Sequence, residues 1–160
     1  MELYLLRHGI AEDALPGRRD TDRELTAEGR RKLRDLLKVV KAAGVVPTAI
    51  LTSPLVRARD SAEIAAKALQ FEGTIQQSNA LIPNAHPMEL WEEVRMHRSE
   101  EQLLLVGHEP LFSAAAATLL NANGMRVDFK KGAMMRIDID GFTAGPRGVL
   151  KWFFTAKLAG

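Results

Sequence analysis

Short apolar runs alternate with amphipathic stretches along this chain, and most runs end in a polar or glycine-bearing turn. Residues 2–7 are mostly apolar and lead straight into Arg7-His8-Gly9, a pattern that predicts a buried strand. Residues 10–25 hold Pro16, Gly17 and several charges with no period, as a surface loop does. Thr26 is placed to cap a helix in which Leu33, Leu36, Leu37 and Val40 recur at helical spacing, and Gly44 with Pro47 ends it. Residues 48–52 predict a second short strand. Ser53-Pro54 then reads as an N-cap and first-turn proline opening a helix to Leu69. Residues 74–78 give a weak third strand, and residues 84–98 a helix with Leu90, Val94 and His97 on one side. A strongly apolar strand over 102–106 precedes a helix from Pro110 to Leu120 whose apolar residues wrap around it, so it should be largely buried.

The period then changes. Met135, Ile137 and Ile139 alternate with Arg136, Asp138 and Asp140, which predicts a strand with one wet face. Residues 141–148 form a turn, and 149–155 its hairpin partner. Alternating strands and helices closed by a hairpin predict an α/β fold. The expected form is a three-layer helix–sheet–helix sandwich, its sheet mostly parallel with an antiparallel C-terminal edge. No repeat or linker divides the chain, so residues 1–160 are expected to form one domain.

Composition narrows the chemistry. Cysteine is absent, which removes disulfides and thiolate nucleophiles and suits a reducing cytoplasm. The longest greasy stretch, 111–120, holds Ser113 and Thr118 and is too short to cross a bilayer. No basic-then-apolar leader opens the sequence, so a cytoplasmic protein with no membrane partner is expected. The net charge is only +2, but Arg18, Arg19, Arg23 and residues 30–32 gather positive charge that suits an anionic substrate. The four histidines lack paired acidic ligands, so no metal site is expected. His86, before Pro87, and His97, on a helix face, read as structural. Trp91, Trp152, Phe153 and Phe154 suit core or sheet-face packing better than base stacking, and no nucleic-acid partner is expected.

Three stretches carry the candidate chemistry: Arg7-His8-Gly9, Ser53 to Arg57, and Gly107-His108-Glu109. Each follows a predicted strand. In an open α/β sheet, ligands sit beyond the carboxyl ends of strands, so the three should converge. Arg57 falls in the first turn of its helix, where the dipole already favours an anion. Gly9 and Gly107 remove side chains where backbone must approach something closely. Two guanidiniums and two imidazoles can hold a phosphoryl group and attack it without a metal or other cofactor.

Together the three stretches resemble the histidine phosphatase superfamily, with its phosphoglycerate mutase-like fold. Asp20-x-x-Arg23-x-Leu25-Thr26-x-x-Gly29 and Gly107-His108-x-Pro110-Leu111 are most similar to its SixA-type phosphohistidine phosphatases. The resemblance runs from Glu2 to about Asp140. It implies His8 as the nucleophile, Arg7 and Arg57 as the clamp on the phosphoryl oxygens, and His108 as a second donor to them. Arg57 holds the family register; its neighbour Arg59 is the rival. Arg23 either reaches the rim of the pocket or remains a surface arginine, and Gly9 completes the binding loop.

The resemblance also implies a substrate. The expected one is phosphohistidine on a protein, such as a histidine-containing phosphotransfer domain, since the short chain leaves no room for a cap over the site. The alternative is a small phosphorylated molecule such as a sugar phosphate or nucleotide. That reading needs a proton donor, and Glu109 stands where the acid phosphatase branch has a carboxylate. Two roles are therefore open to Glu109, proton donation or stabilising the N-terminus of the following helix, and capping is the simpler. Asp20 and Asp22 are weaker donor candidates. A non-catalytic module that binds phosphorylated partners is a further alternative, though binding alone needs no nucleophile.

Overall fold

A computed structural model describes residues 1–160. Its elements follow in the order β1 (Glu2–Arg7), α1 (Ala27–Ala42), β2 (Ala49–Thr52), α2 (Val56–Ala68), β3 (Gln76–Gln77), α3 (Pro87–Met96), β4 (Gln102–Gly107), α4 (Leu111–Leu119), β5 (Met134–Ile139) and β6 (Gly148–Phe154). The six strands form one sheet in the order β3-β2-β4-β1-β5-β6. The first four are parallel, whereas β5 runs antiparallel to β1 and β6 antiparallel to β5. This is the expected α/β sandwich with its antiparallel C-terminal edge.

The apolar runs arise because the central strands are covered on both faces. Along β1, Leu3 and Leu5 point to one side, where Leu90, Trp91 and Val94 of α3 and Phe112, Ala115 and Leu119 of α4 meet them. Tyr4 and Leu6 point to the other, against Leu33, Leu36, Leu37 and Val40 of α1 and Ala58, Ala62 and Ala65 of α2. In β4, Leu103 and Leu105 repeat the first choice and Leu104 and Val106 the second. No helix is long and apolar enough to cross a membrane.

Thr26 caps α1 as expected, its hydroxyl accepting from Gly29 N at 2.9 Å, and Gly44 at φ +90° ends the helix region. Elsewhere the ends move. The helix expected over 84–98 is confined to Pro87–Met96, because the His86 side chain accepts from Met88 N while Glu89 reaches back to His86 N. The third strand shrinks to Gln76–Gln77, an exposed edge with little to bury. Within the 10–25 loop, Ala11 bridges to Leu25 and Asp20–Asp22 makes a short 3-10 turn.

One expectation is corrected outright. Ser53 is not the N-cap of α2, nor Pro54 its first residue; the helix begins at Val56 with Leu55 extended before it. The Ser53 hydroxyl is engaged elsewhere, with His108.

Candidate active site

Strands β1, β2 and β4 are parallel and adjacent, so their C-terminal ends deliver Arg7-His8, Ser53 and Gly107-His108 to one edge of the sheet. Pairing is direct: Arg7 lies opposite Gly107, and His8 N donates to the Gly107 carbonyl at 3.0 Å. The His8 and His108 rings end 5.0 Å apart between centroids, tilted by 55°. Arg57 approaches from the first turn of α2. His8, Arg57 and His108 are all buried, which is rare for such groups unless the fold needs them there. Arg59, the rival cation, is exposed.

The protonation pattern follows from the neighbours. His8 Nδ1 lies 2.7 Å from the carbonyl oxygen of Gly9. A carbonyl only accepts, so Nδ1 carries the hydrogen and Nε2 is left with its lone pair. Burial, with the charges of Arg57, Arg7 and Lys131, pushes His8 down to about 3, so the ring is neutral. Burial first, then His8 and the same two arginines with Arg23, pushes His108 down to about 2. His108 Nε2 meets Ser53 Oγ at 2.8 Å, and that oxygen also accepts from Leu55 N.

The arginines are anchored on one side and free on the other. Arg7 Nη1 donates to Phe129 O at 2.6 Å. Arg57 donates through Nη1 to Asp20 O at 2.9 Å and through Nη2 to the Asp20 carboxylate at 3.2 Å. Three buried nitrogens find no hydrogen-bond partner in the protein: Arg7 Nε, Arg57 Nε and His108 Nδ1. Buried polar groups without partners are costly, and a guanidinium Nε always carries a hydrogen, so Arg7 and Arg57 each keep one unmatched donor beside the two imidazoles.

Other residues fall into support or leave the site. Arg23 is partly buried; it pairs with Asp20 at 2.9 Å and donates to Glu12 O, so it braces the carboxylate that holds Arg57. Asp22 pairs with Arg19 on the surface. Glu109 Oε1 accepts from Ser113 N at 2.7 Å, which is the helix-stabilising role. The close approaches at Gly9 and Gly107 are to the chain itself. A Cβ on Gly9 would lie 3.2 Å from the Gly29 carbonyl oxygen of α1, and one on Gly107 would strike the Phe112 ring. His86 and His97 are structural, His97 Nδ1 meeting Glu93 O at 2.9 Å. No three His, Asp or Glu side chains gather as metal ligands would.

One member of the site, and one pairing within it, escaped the sequence reading. Ser61, one turn along α2 from Arg57, donates to Arg57 O at 2.7 Å and accepts from Gly9 N at 3.0 Å, tying the helix of Arg57 to the loop of His8. A serine sharing one helix face with Ala58, Ala62 and Ala65 was its only local signal. Asp20 as the partner of Arg57 lay in a loop without periodicity and had none.

Comparison with known proteins agrees with this geometry. Residues 3–82 match the Histidine phosphatase superfamily (branch 1). An uncharacterized protein of Picosynechococcus sp. is 34% identical over 142 residues, which span 84% of this chain and 83% of that one. Among solved structures, the protein histidine phosphatase SixA complexed with tungstate superposes with a TM-score of 0.88 at 22% identity, over 100% of both chains. SixA from Agrobacterium tumefaciens superposes with a TM-score of 0.83 at 23% identity, over 96% of this chain and 97% of that one.

Proposed function

Because the chain belongs to the histidine phosphatase superfamily, we propose that it is a metal-independent phosphohydrolase working through phospho-His8, with phosphohistidine on a protein as its preferred substrate. The observation that carries this reading is the bond between His8 Nδ1 and Gly9 O, which leaves Nε2 of a neutral ring as the attacking atom.

The substrate's phosphoryl group sits against Arg7 Nε, Arg57 Nε and His108 Nδ1, whose hydrogens meet its oxygens. His8 Nε2 attacks phosphorus in line, forming a P–N bond as the bond to the leaving group breaks. Charge spread over the oxygens is met by the two guanidiniums, so positioning and electrostatics supply most of the rate. For His108 to donate from Nδ1, its Nε2 must accept. The Ser53 hydroxyl, accepting from Leu55 N, has its own hydrogen free for that bond. Water then attacks phospho-His8, breaking the P–N bond, releasing inorganic phosphate and restoring the imidazole.

The leaving group decides the substrate class. Imidazole departs without a strong general acid because its conjugate acid has a pKa of about 6.5. An alkoxide, with a conjugate acid near about 15.7, needs a proton donor. Glu109 is the candidate by sequence, and the one contact it makes, accepting from Ser113 N through Oε1, is that of a helix-stabilising carboxylate. This favours phosphohistidine over a sugar phosphate.

The test is direct. Wild-type protein incubated with a phosphohistidine peptide should form an acid-labile phosphoenzyme and release phosphate beyond one equivalent. His8→Ala should do neither; full activity in that variant would end the proposal.

A further inference from the structure

Beside the site runs a cleft of about 620 Å³ between α1, the residues around Lys130 and the segment after β6. Arg31, Lys32, Lys130, Lys131 and Lys157 line it, so its charge is strongly positive. The topology sets it on the same edge of the sheet as His8. Met134 at the start of β5 pairs with Leu6 near the end of β1, and Phe154 at the end of β6 pairs with Met134. Residues before β5 and after β6 therefore lie beyond the C-terminal end of β1, as do the first turns of α1.

The cleft wall is joined to the catalytic strand by hydrogen bonds. Gly132 N donates to both Arg7 O and His8 O, at 3.2 and 2.9 Å, and Phe129 O receives Arg7 Nη1. Lys131 is near enough for its charge to act on His8. Some cations are already matched, Lys32 by Glu28 at 2.8 Å and Lys130 by Asp128 at 2.8 Å. Arg31 has only a loose pair with Asp35 at 3.8 Å, while Lys131 and Lys157 are exposed and lack a carboxylate within ion-pair distance.

The lining also says what fits. Only Ile10 and Ala156 are apolar, and no aromatic ring is present on which a nucleic-acid base would stack. Asp35 and Asp128 interrupt the cations, which opposes a compact polyphosphate but suits a protein surface of carboxylates with a few basic residues between them.

We propose that this cleft docks an acidic face of the phosphorylated protein, with carboxylates against Arg31, Lys131 and Lys157 while the phosphoryl group enters at His8. It rests on the reading of the site as a protein phosphohistidine phosphatase. The cleft then contributes to encounter and KM, not to the chemical step.

The test uses the Arg31→Gln/Lys157→Gln double variant, both positions being exposed and neither among the charges that act on His8. Rates are compared on a phosphorylated histidine-containing phosphotransfer domain, on phosphoramidate and on a bisphosphorylated sugar, at low and physiological salt. The expected result is a fall in kcat/KM of about five- to tenfold on the phosphoprotein, with a flatter salt dependence and phosphoramidate turnover unchanged. Equal rates for wild type and variant on the phosphoprotein would overturn the docking surface alone. Wild type inert toward the phosphoprotein but active on phosphoramidate would overturn the protein-substrate reading beneath it. A loss as large on the bisphosphorylated sugar would overturn the acidic protein in favour of a compact polyanion.

Discussion

The guanidinium of Arg57 is gripped by Asp20 through both the main-chain carbonyl, at 2.9 Å, and the carboxylate, at 3.2 Å. The carboxylate is shared with Arg23, and Asp20 is held below the ordinary carboxylate range, burial opposing the pull of Arg57 and Arg23. An anion thus already faces the arginine proposed to hold phosphate, and on that proposal the two compete for it.

Asp20→Asn keeps the carbonyl contact and removes the charge. Inorganic phosphate, as product inhibitor, should bind about three- to tenfold more tightly to that variant, because a partly exposed carboxylate opposes an anion by about a kcal/mol. Inhibition constants measured against an aryl phosphate decide it; weaker inhibition would mean that the carboxylate chiefly positions Arg57.

Ser53→Ala removes the hydroxyl that faces His108 Nε2 and leaves the strand bond from Ser53 N to Val106 O intact. We expect kcat to fall about tenfold with KM little changed, because Ser53 acts through the orientation and tautomer of His108 and is not itself a donor to the transition state. Nitrogen-15 NMR of the imidazoles should show His108 losing its preference for hydrogen on Nδ1, a change that simple loosening of the fold would not produce.

Acid should destabilise the protein through its two buried histidines. Burial and nearby positive charge push His8 down to about 3 and His108 down to about 2, whereas the unfolded chain protonates both near about 6.5. Below that value the unfolded state binds more protons, so stability present above pH 6.5 is lost as pH falls toward 3. Each histidine contributes a loss of about 2 kcal/mol by pH 5. Urea midpoints at pH 7 and pH 5 test this. The difference should shrink in a His8→Asn/His108→Asn variant.

Glu109→Gln should leave turnover of phosphoramidate and of alkyl phosphates within about twofold of wild type, since a carboxamide oxygen still accepts from Ser113 N. Glu109→Ala should cost about 1 kcal/mol of stability, the usual worth of a helix-terminal acceptor. A large loss confined to alkyl esters in the Gln variant would make this carboxylate a proton donor.

Much of the architecture was legible because burial on both faces writes itself as apolar runs. Leu3 to Leu6 and Leu103 to Val106 announce central strands, and the two residues after each run end in a histidine of the site, His8 and His108. Legibility stopped where one residue type serves two purposes. Ser53 before a proline is a sound cap signal, yet its hydroxyl is claimed by His108, which lies 55 positions away. The Asp20 contact with Arg57 spans 37 positions and depends on how an aperiodic loop folds back. Such pairings are set by tertiary geometry, and local patterning has no term for them.

Strand β1, which leads into His8, is hydrogen-bonded along both edges, to β4 and to β5. Its amides should therefore be among the slowest to exchange with deuterium, opening only when the whole molecule unfolds. Most of the aperiodic segment, 13–21, is surface-exposed and belongs to the fast-exchanging end of that range, apart from Asp20, which its bonds to Arg57 and Arg23 hold in place. Thermal fluctuation of that segment then reaches Arg57 only through Asp20, while the backbone that carries His8 stays fixed in the middle of the sheet.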